Sequence, residues 1–313
     1  MRLISYRDGG ENRVGALVGS DVIDLARAHA HALGVRGETE SAAIAAAQLP
    51  PDLVRILRRP DSLDLIRAAA DHGAGLDAEL AQRELVRRPL ASLTLLPPVP
   101  NPPKIVCVAR NYAEHAREAG LAVSEIPILF ARFAATLVAP GAPILRPTVS
   151  DELDWEGELA VVIGRAGRHI AKADALAHVA GYSIFNDVTV RDYQFRVTQY
   201  TAGKNFSASG PFGPYLALAD EVPDPQDLEI VTEVSGVEMQ RASTADMIFD
   251  VATLIEHISE FIELEAGDVI ATGTPAGVGF KREPPRFLVP GDVVRVSITG
   301  LGTLENPVEA EAQ

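Results

Sequence analysis

The sequence is poor in cysteine, since Cys107 is the only one among its 313 residues. A single thiol excludes an intrachain disulfide framework and is typical of a protein in a reducing environment. Cys107 lies in the apolar run Ile105-Val-Cys-Val108, which predicts a small buried side chain rather than a nucleophile. The chain starts directly in an alternating pattern, without the apolar core of a signal peptide, so we expect a cytoplasmic protein.

Two further features are missing: a long apolar run and an excess of positive charge. No apolar stretch approaches the ~18 residues that a transmembrane helix requires, so no membrane partner is expected. The net charge of −15 disfavours nucleic acid as a partner, because phosphate would be repelled. An acidic substrate would therefore need local positive charge, from a metal ion or from a few Arg and Lys side chains.

The composition, 47% hydrophobic and 23% charged, is that of a soluble globular chain, and the length suggests two domains. The stretch Pro97-Pro-Val-Pro-Asn-Pro-Pro103 cannot continue a helix or a central strand. We therefore predict a small N-terminal domain of a β-meander and helices at 1–96, a linker at 97–103 and a larger domain at 104–313.

Hydrophobic periodicity predicts an α+β protein that is mostly β. The meander is predicted at Arg2–Arg7, Val14–Val18 and Val22–Leu25, followed by Ala-rich helices. One long amphipathic helix is predicted at Asp246–Glu263. Strands of the larger domain are predicted at 104–108, Ile126–Phe130, Glu158–Ile163, Val179–Phe185, Leu228–Val234, Val269–Thr272, Val293–Ile298 and from Leu304 onward.

Two carboxylates lie in a segment that is otherwise apolar, Leu153–Ile163. With a period of two, Leu159 and Val161 lie on one face of the strand, and Glu156 and Glu158 on the other. Two such anions repel by about 4 kcal/mol at ~4 Å in a protein-like dielectric. A divalent cation would turn that repulsion into attraction, and Mg²⁺ favours carboxylate oxygens. The alternative is a solvent-facing edge strand that carries two glutamates.

A third carboxylate and a lysine follow in the sequence. Asp187 ends the strand that is the natural neighbour of the Glu156 strand, and it could complete a three-carboxylate set. Lys204 follows in the segment Thr201-Ala-Gly-Lys-Asn-Phe206. Most lysines are simply solvated, but one beside a metal site can balance a substrate carboxylate or a developing enolate.

His115 and Glu118 are three residues apart on a predicted short helix, so their side chains can meet. A carboxylate that orients an imidazole favours its use as a general base, although such pairs are also common on helix surfaces. The glycine-rich segment Thr272–Gly279 lacks the pattern of a nucleotide-binding loop. We interpret it as a close backbone approach to a ligand, with the Thr274 hydroxyl as a donor.

Taken together, these segments resemble the fumarylacetoacetate hydrolase family over nearly all of residues 104–308. The segments that carry the resemblance are Asn111-Tyr-Ala-Glu-His115, Asp154-Trp-Glu-Gly-Glu-Leu159, Gly181-Tyr182, Asn186-Asp187-Val188, Arg191-Asp192, Gly203-Lys-Asn-Phe206, Gly213-Pro214, Gly273-Thr-Pro-Ala-Gly-Val-Gly279 and Gly300 to Pro307. Each is weak by itself, and their order and spacing together are specific.

The resemblance implies a mixed β-roll catalytic domain in a homodimer. It also implies a role in aromatic catabolism, with 2-oxo or β-diketo acids as substrates. It implies Mg²⁺ or Mn²⁺, with Ca²⁺ as an ion that could replace them in a crystal, bound by Glu156, Glu158 and Asp187. The implied catalytic residues are Lys204 and the dyad of His115 and Glu118. The implied substrate-binding residues are Arg110, Tyr112, Gln194, Gly273 and Thr274.

The chain departs from the family pattern at two positions. Many relatives carry an acidic residue shortly after the lysine, where this chain has Ser207, and a lysine with prolines near position 132, where it has Arg132. We expect both differences to alter the part of the pocket that reads the distal end of the substrate.

The preferred function is metal-dependent hydrolysis of a C–C bond in an acylpyruvate-like β-diketo acid. The metal would stabilise the enolate leaving group, and His115, oriented by Glu118, would deliver water. The alternative is isomerisation or decarboxylation of a 2-hydroxydienedioate or oxaloacetate-like acid at the same site. A non-catalytic binding protein of the same fold is disfavoured, because it has no evident need for three metal-ligating carboxylates.

Overall fold

The computed structural model describes residues 1–118 and 124–312, which contain nineteen strands and nine α-helices. The strands are β1 Arg2–Asp8, β2 Glu11–Val18, β3 Asp21–Asp24, β4 Arg87–Pro89, β5 Thr94–Leu95, β6 Ile105–Ala109, β7 Ile128–Arg132, β8 Leu137–Val138, β9 Ile144–Arg146, β10 Leu153–Asp154, β11 Gly157–Ile163, β12 Val179–Asn186, β13 Thr189–Val190, β14 Gly210–Leu218, β15 Glu229–Val234, β16 Val237–Ser243, β17 Val269–Ala271, β18 Val293–Ile298 and β19 Gly302–Ala310. The helices are α1 Leu25–Val35, α2 Ser41–Gln48, α3 Leu53–Leu57, α4 Ser62–Ala74, α5 Ala78–Arg83, α6 Ala113–Glu118, α7 Arg191–Gln194, α8 Thr201–Lys204 and α9 Val251–Phe261.

A large mixed sheet runs through the described part of the chain, in the strand order β4-β3-β2-β1-β14-β12-β11-β17-β6-β7. The N-terminal meander forms as expected, and its first strand pairs antiparallel with β14, with Leu3 opposite Leu216. The N-terminal segment and the larger domain therefore share one sheet. The boundary at 97–103 stays a prediction, because hydrogen-bonded strands from both sides of it lie side by side.

A smaller sheet, in the order β16-β15-β18-β19-β9, packs on one face of the large one. Strand β11 shows how the two faces differ. Leu159 and Val161 belong to the core shared with the small sheet and α9, whereas Ala160 and Val162 belong to the core shared with the N-terminal helices. This alternation is the one expected from the sequence, and the α+β class with its mixed sheets is confirmed.

Helix α9 is shorter than predicted, because it begins at Val251 rather than at Asp246. Asp250 is its N-cap, and the carboxylate of Asp250 accepts a hydrogen bond from the Thr253 N–H at 2.7 Å. The preceding residues are held instead by Asn111, whose side chain accepts from the Phe249 N–H at 2.8 Å and donates to the Phe249 carbonyl at 2.9 Å. These bonds compete with helix formation at the start of the segment.

Among the described residues, no helix is long and apolar enough to cross a membrane. The longest one, α4, has 13 residues, whereas a spanning helix needs about 20.

Candidate active site

Three carboxylates come together where β11 begins and β12 ends. Strand β11 pairs antiparallel with β12, with Gly157 opposite Asn186. Glu156 and Glu158 flank Gly157, and Asp187 follows Asn186, so the pairing brings the three acidic side chains to one place. One oxygen of each lies within 4.8 Å of the others. The proximity predicted from the sequence is therefore present, and a 3₁₀ segment, Lys172–His178, connects the two strands.

The three carboxylates are buried, with exposed fractions of 6% for Glu156, 1% for Glu158 and 0% for Asp187. Burial would raise the pKa of Glu156, but Lys204 and Arg191 lower it to about 2. Burial raises the pKa of Glu158 well above its ordinary range, and the charges of Asp187 and Glu156 raise it further. The repulsion among the three carboxylates therefore raises the pKa of Glu158, whereas at Glu156 the neighbouring cations offset it.

Three buried cations surround the carboxylates. The Lys204 ammonium donates to Glu156 Oε2 at 2.8 Å and to Asp187 Oδ2 at 2.5 Å. The Arg132 guanidinium donates to Asp187 Oδ1 at 2.5 Å. Arg191 Nη1 lies 2.7 Å from Glu156 Oε1. Each cation thus fixes the position of a predicted metal ligand, because a charge-assisted hydrogen bond is short and directional.

The donor set fits a hard divalent cation. All three candidate ligands are carboxylate oxygens, which Mg²⁺ and Mn²⁺ prefer. The Glu158 carboxylate is oriented by the Gly273 N–H, which donates to its Oε2 at 2.9 Å, and its raised pKa marks a position where an added positive charge would be stabilising. Glu156, Glu158 and Asp187 are therefore the residues that would hold the ion.

A fourth buried carboxylate, Asp154, organises the neighbouring residues. Asp154 accepts from Arg191 Nε at 2.8 Å, from the Gly279 N–H at 2.7 Å and from the Phe280 N–H at 3.1 Å. The Arg191 guanidinium in turn lies 4.3 Å from the centre of the Phe280 ring. Neither Asp154 nor Arg191 received a role in the sequence analysis, although both lie in the segments that carried the resemblance.

A cleft of about 230 Å³ opens beside the carboxylate cluster. The predicted site residues that line it are Arg110, His115, Glu156, Gln194, Lys204 and Thr274. Tyr112 and Gly273 are not among its lining residues. Tyr112 is buried, and its hydroxyl has no hydrogen-bond partner among the described residues, while Gly273 contacts Glu158 through its backbone. Their substrate-binding roles stay predictions.

The predicted dyad of His115 and Glu118 lies at the edge of this cleft on α6. His115 Nδ1 is 3.4 Å from Glu118 Oε2, a long contact, and His115 is only 7% exposed. The Glu118 carboxylate also accepts from the Gly277 N–H at 3.1 Å. The glycine-rich loop thus holds the carboxylate that faces the imidazole.

Aromatic side chains that belong to none of the predicted site residues form the apolar walls of the cleft. Phe195 and Phe280 pack with ring centres 5.5 Å apart, and Phe130 meets Tyr200 edge to face at 5.6 Å. They come from three separate segments, since only Phe195 and Tyr200 are near each other in sequence, so no local pattern could have grouped all four.

The two departures from the family pattern have different positions. Arg132 does not line the cleft; it is 3% exposed, and it also donates to the Val188 carbonyl at 3.1 Å and to Ser209 Oγ at 2.6 Å. Ser207 is exposed and does not line the cleft. Arg132 therefore acts on the carboxylate cluster through Asp187, which is a different place from the one expected.

The comparisons with known proteins agree with this geometry. The family profile described as fumarylacetoacetate (FAA) hydrolase, C-terminal, matches residues 104–309. The oxaloacetate tautomerase FAHD2A, mitochondrial, of Bos taurus is 46% identical over 222 residues, which cover 70% of this chain and 71% of the relative.

Two solved structures extend the similarity to nearly the whole chain. The fumarylacetoacetate hydrolase of Exiguobacterium antarcticum has a TM-score of 0.77 and 35% identity, and it covers 99% of this chain and 100% of that one. The maleylpyruvate hydrolase of Sphingobium sp. SYK-6, in complex with manganese (II) ion and pyruvate, has a TM-score of 0.73 and 30% identity, and it covers 100% of both chains.

The prediction of a cytoplasmic protein is wrong on this evidence. Similar proteins from Bos taurus, Homo sapiens and Xenopus laevis are named as mitochondrial. The prediction failed because neither the lack of a secretory signal pattern nor a single buried thiol identifies the compartment of a protein.

Proposed function

The chain belongs to the fumarylacetoacetate hydrolase family of enzymes, and on this basis we propose that it interconverts the keto and enol forms of a 2-oxo dicarboxylic acid of the oxaloacetate type. The reaction moves one proton between C3 and the C2 oxygen of the substrate. It requires a base for the carbon-bound proton and positive charge near the enolate oxygen. The similarity to oxaloacetate tautomerases supports this choice over hydrolysis.

The observation that carries the proposal is the buried Lys204 ammonium between Glu156 and Asp187, at the wall of the cleft. Burial would lower the pKa of Lys204, but the charges of Asp187 and Glu156 raise it, so the side chain stays an ammonium. Lys204 would therefore balance negative charge that develops on the substrate oxygen. A Mg²⁺ or Mn²⁺ ion at the carboxylate cluster would add Lewis-acid polarisation of the oxo acid.

His115 is the residue we assign to the proton transfer. Glu156 also lines the cleft, but its carboxylate is held by Lys204 and Arg191, and its pKa is about 2, so it is a poor base. The His115 imidazole faces Glu118, which favours the orientation in which the other ring nitrogen accepts a proton.

The position of Arg110 favours a substrate with a second carboxylate. It lines the cleft, its Nε is buried, and that atom has no hydrogen-bond partner among the described residues. Its backbone has a φ of +56°, a left-handed conformation that costs roughly 1–2 kcal/mol for a residue other than glycine. Such strain is typical of functional positions, and a second carboxylate would satisfy the guanidinium.

The direct test follows the ultraviolet absorbance of enol-oxaloacetate as it converts to the keto form. We expect the protein to accelerate the conversion with Mg²⁺ or Mn²⁺ and to lose this effect with a chelator. Reactions with the metal salt alone are the control. A rate equal to that control would contradict the proposal.

The role of His115 is tested by His115→Ala. Loss of a general base lowers kcat by about 10²- to 10⁴-fold, whereas stabilisation of the fold by added metal should persist, because His115 is not one of the metal ligands. An unchanged tautomerisation rate would remove His115 from the mechanism.

Hydrolysis of a C–C bond in an acylpyruvate is the second candidate function. The specific observation in its favour is that the glycine-rich loop holds Glu118 against His115, an arrangement that also suits activation of water. Nuclear magnetic resonance with acetylpyruvate would distinguish the two functions. Hydrolysis releases pyruvate and acetate, whereas tautomerisation in D₂O only exchanges the protons at C3.

The choice between Mg²⁺ and Mn²⁺, the homodimer and a role in aromatic catabolism stay proposals. Metal titrations by calorimetry address the first, sedimentation velocity the second, and a panel of hydroxymuconate-type diacids the third.

A further inference from the structure

Gln240 connects the strand of the metal ligands to the glycine-rich loop. It lies on β16 of the small sheet and is only 1% exposed. Its side-chain amide reaches Gly157, which lies between the two predicted metal-ligating glutamates, and also Thr274 and Pro275 of the loop. Neither the sequence motifs nor the proposed chemistry uses this residue.

Backbone neighbours fix the orientation of the Gln240 amide. The Gly157 N–H can only donate, so the atom 3.1 Å from it must be the amide oxygen. The Pro275 carbonyl can only accept, so the atom 2.9 Å from it must be the amide nitrogen. The same nitrogen lies 2.8 Å from Thr274 Oγ1 and donates its second proton there.

This orientation also fixes the direction of the Thr274 hydroxyl. Thr274 Oγ1 already accepts from Gln240, and it lies 3.0 Å from the Gly157 carbonyl oxygen, which can only accept. The hydroxyl proton therefore points to Gly157. A hydroxyl has one proton and two lone pairs, so Thr274 retains one lone pair and no proton for a ligand.

We propose that Gln240 is a positioning residue that makes Thr274 a hydrogen-bond acceptor toward the cleft, so that the site recognises a ligand hydroxyl. Thr274 lines the cleft and is 2% exposed, so a bound ligand is the partner available to its free lone pair. This reverses the donor role expected from the sequence. The acceptor role, which here rests on the proposed tautomerisation, implies that Thr274 selects the enol form of the substrate over the keto form, because only the enol carries an O–H.

The test measures binding of two non-reacting probes with Mg²⁺ by calorimetry: lactate, which has a 2-hydroxyl donor, and pyruvate, which has a 2-oxo acceptor. We expect Thr274→Val to weaken binding of lactate by about tenfold, the effect of one net hydrogen bond, with little change for pyruvate. Thr274→Ser keeps the hydroxyl and should restore the binding of lactate. A larger loss for pyruvate than for lactate would show that Thr274 donates, and would overturn the proposal.

Two variants test Gln240. Gln240→Glu keeps the acceptor for Gly157 and loses both donors to the loop, and Gln240→Met loses all three bonds. We expect Gln240→Met to reduce the ratio of lactate to pyruvate affinity by about three- to tenfold, because the Thr274 proton is no longer confined to Gly157. In Gln240→Glu the carboxylate can accept that proton, so Thr274 stays an acceptor toward the cleft and the ratio should be retained. An unchanged ratio in a Gln240→Met protein that still binds both probes would assign Gln240 a structural role only and overturn the proposal.

The outcome is independent of turnover. A wild-type protein that prefers lactate through Thr274 but does not accelerate tautomerisation would retain this inference and lose the proposed function. A protein that accelerates tautomerisation, yet binds pyruvate through the Thr274 hydroxyl, would retain the function and lose the inference. Binding of neither probe by the wild type would also overturn the inference.

Discussion

At the residue scale, Glu158 is the candidate metal ligand whose negative charge is most strongly disfavoured by its surroundings. Burial, Asp187 and Glu156 raise its pKa well above the ordinary range. The folded metal-free protein therefore holds this proton more tightly than the unfolded chain does, so its stability falls as the pH rises from about 4.3 toward the raised value.

We predict that Glu158→Gln raises the melting temperature in chelator at a pH of about 8, because glutamine removes the repulsion. The same variant should lose activity and the stabilisation by Mg²⁺. Differential scanning calorimetry with and without metal checks both. A lower melting temperature than that of the wild type in chelator would contradict the charge argument.

Glu156→Gln is the matched control, and its effect has the opposite sign. Lys204 and Arg191 lower the pKa of Glu156 to about 2, against the effect of burial. The stability from this carboxylate is present above its unfolded pKa and is lost as the pH falls toward 2. We therefore predict that Glu156→Gln lowers the melting temperature in chelator at neutral pH.

Arg132 supports the site through Asp187. Both side chains of this ion pair are fully buried, so removal of the guanidinium leaves a buried carboxylate without one of its partners. We predict that Arg132→Met lowers the free energy of unfolding by about 3–5 kcal/mol and weakens Mg²⁺ binding. Urea unfolding and calorimetry measure the two effects. Arg241→Met, which removes exposed ion pairs with Glu238 and Glu229, should leave both nearly unchanged.

At the element scale, the central strand β14 was not predicted. Its first residues, Gly210-Pro-Phe-Gly-Pro214, have the composition of a loop, because glycine and proline are depleted in strands. Neighbouring strands overcome this preference, since β14 lies between β1 and β12 in the large sheet. Local propensity could not reveal a strand that exists because of its partners.

The short helices α7 and α8 carry cleft residues and meet at Gly203. A Cβ added there would lie 2.6 Å from the backbone and Cβ of Gln194, so the helices would have to separate. We predict that Gly203→Ala displaces Lys204, lowers kcat at least tenfold and destabilises the fold by about 1–3 kcal/mol.

Gly34→Ala in the exposed part of α1 is the control for this variant. The added Cβ would lie 3.7 Å from Ser41 Oγ, an ordinary contact, and alanine in a helix is more stable than glycine by about 0.5–1 kcal/mol. Kinetics and urea unfolding of both variants check the prediction. Equal activity of Gly203→Ala and the wild type would show that α8 can shift without cost.

At the scale of the whole molecule, the N-terminal segment completes the large sheet and one of its two cores. That core combines Leu3 and Ile56 from the first part of the chain with Ala160, Val162 and Leu216 from the larger domain. The two parts are therefore joined by buried apolar surface as well as by the β1–β14 pairing.

We predict that a fragment comprising residues 104–313 does not unfold cooperatively, because it would expose this core face and the edge of β14. Thermal melting and binding of a hydrophobic dye would measure the loss. A fragment with a sharp transition and metal-dependent activity would instead support an independent domain with the predicted boundary.

The sequence by itself indicated the two glutamates at the start of a buried strand, the third carboxylate and the lysine. Those inferences depend on a local period of two and on order along the chain. Only the tertiary structure decided how the charges are paired. Arg132 is 55 residues from Asp187, and Lys204 is 48 residues from Glu156.

The direction of the Thr274 hydroxyl was decided in the same way, by Gln240 from a strand of the other sheet, 34 residues away in sequence. The identity of a residue determines the charge and the donor atoms of its side chain. Whether it donates, accepts or compensates a charge depends on neighbours that only the folded chain brings within hydrogen-bond distance.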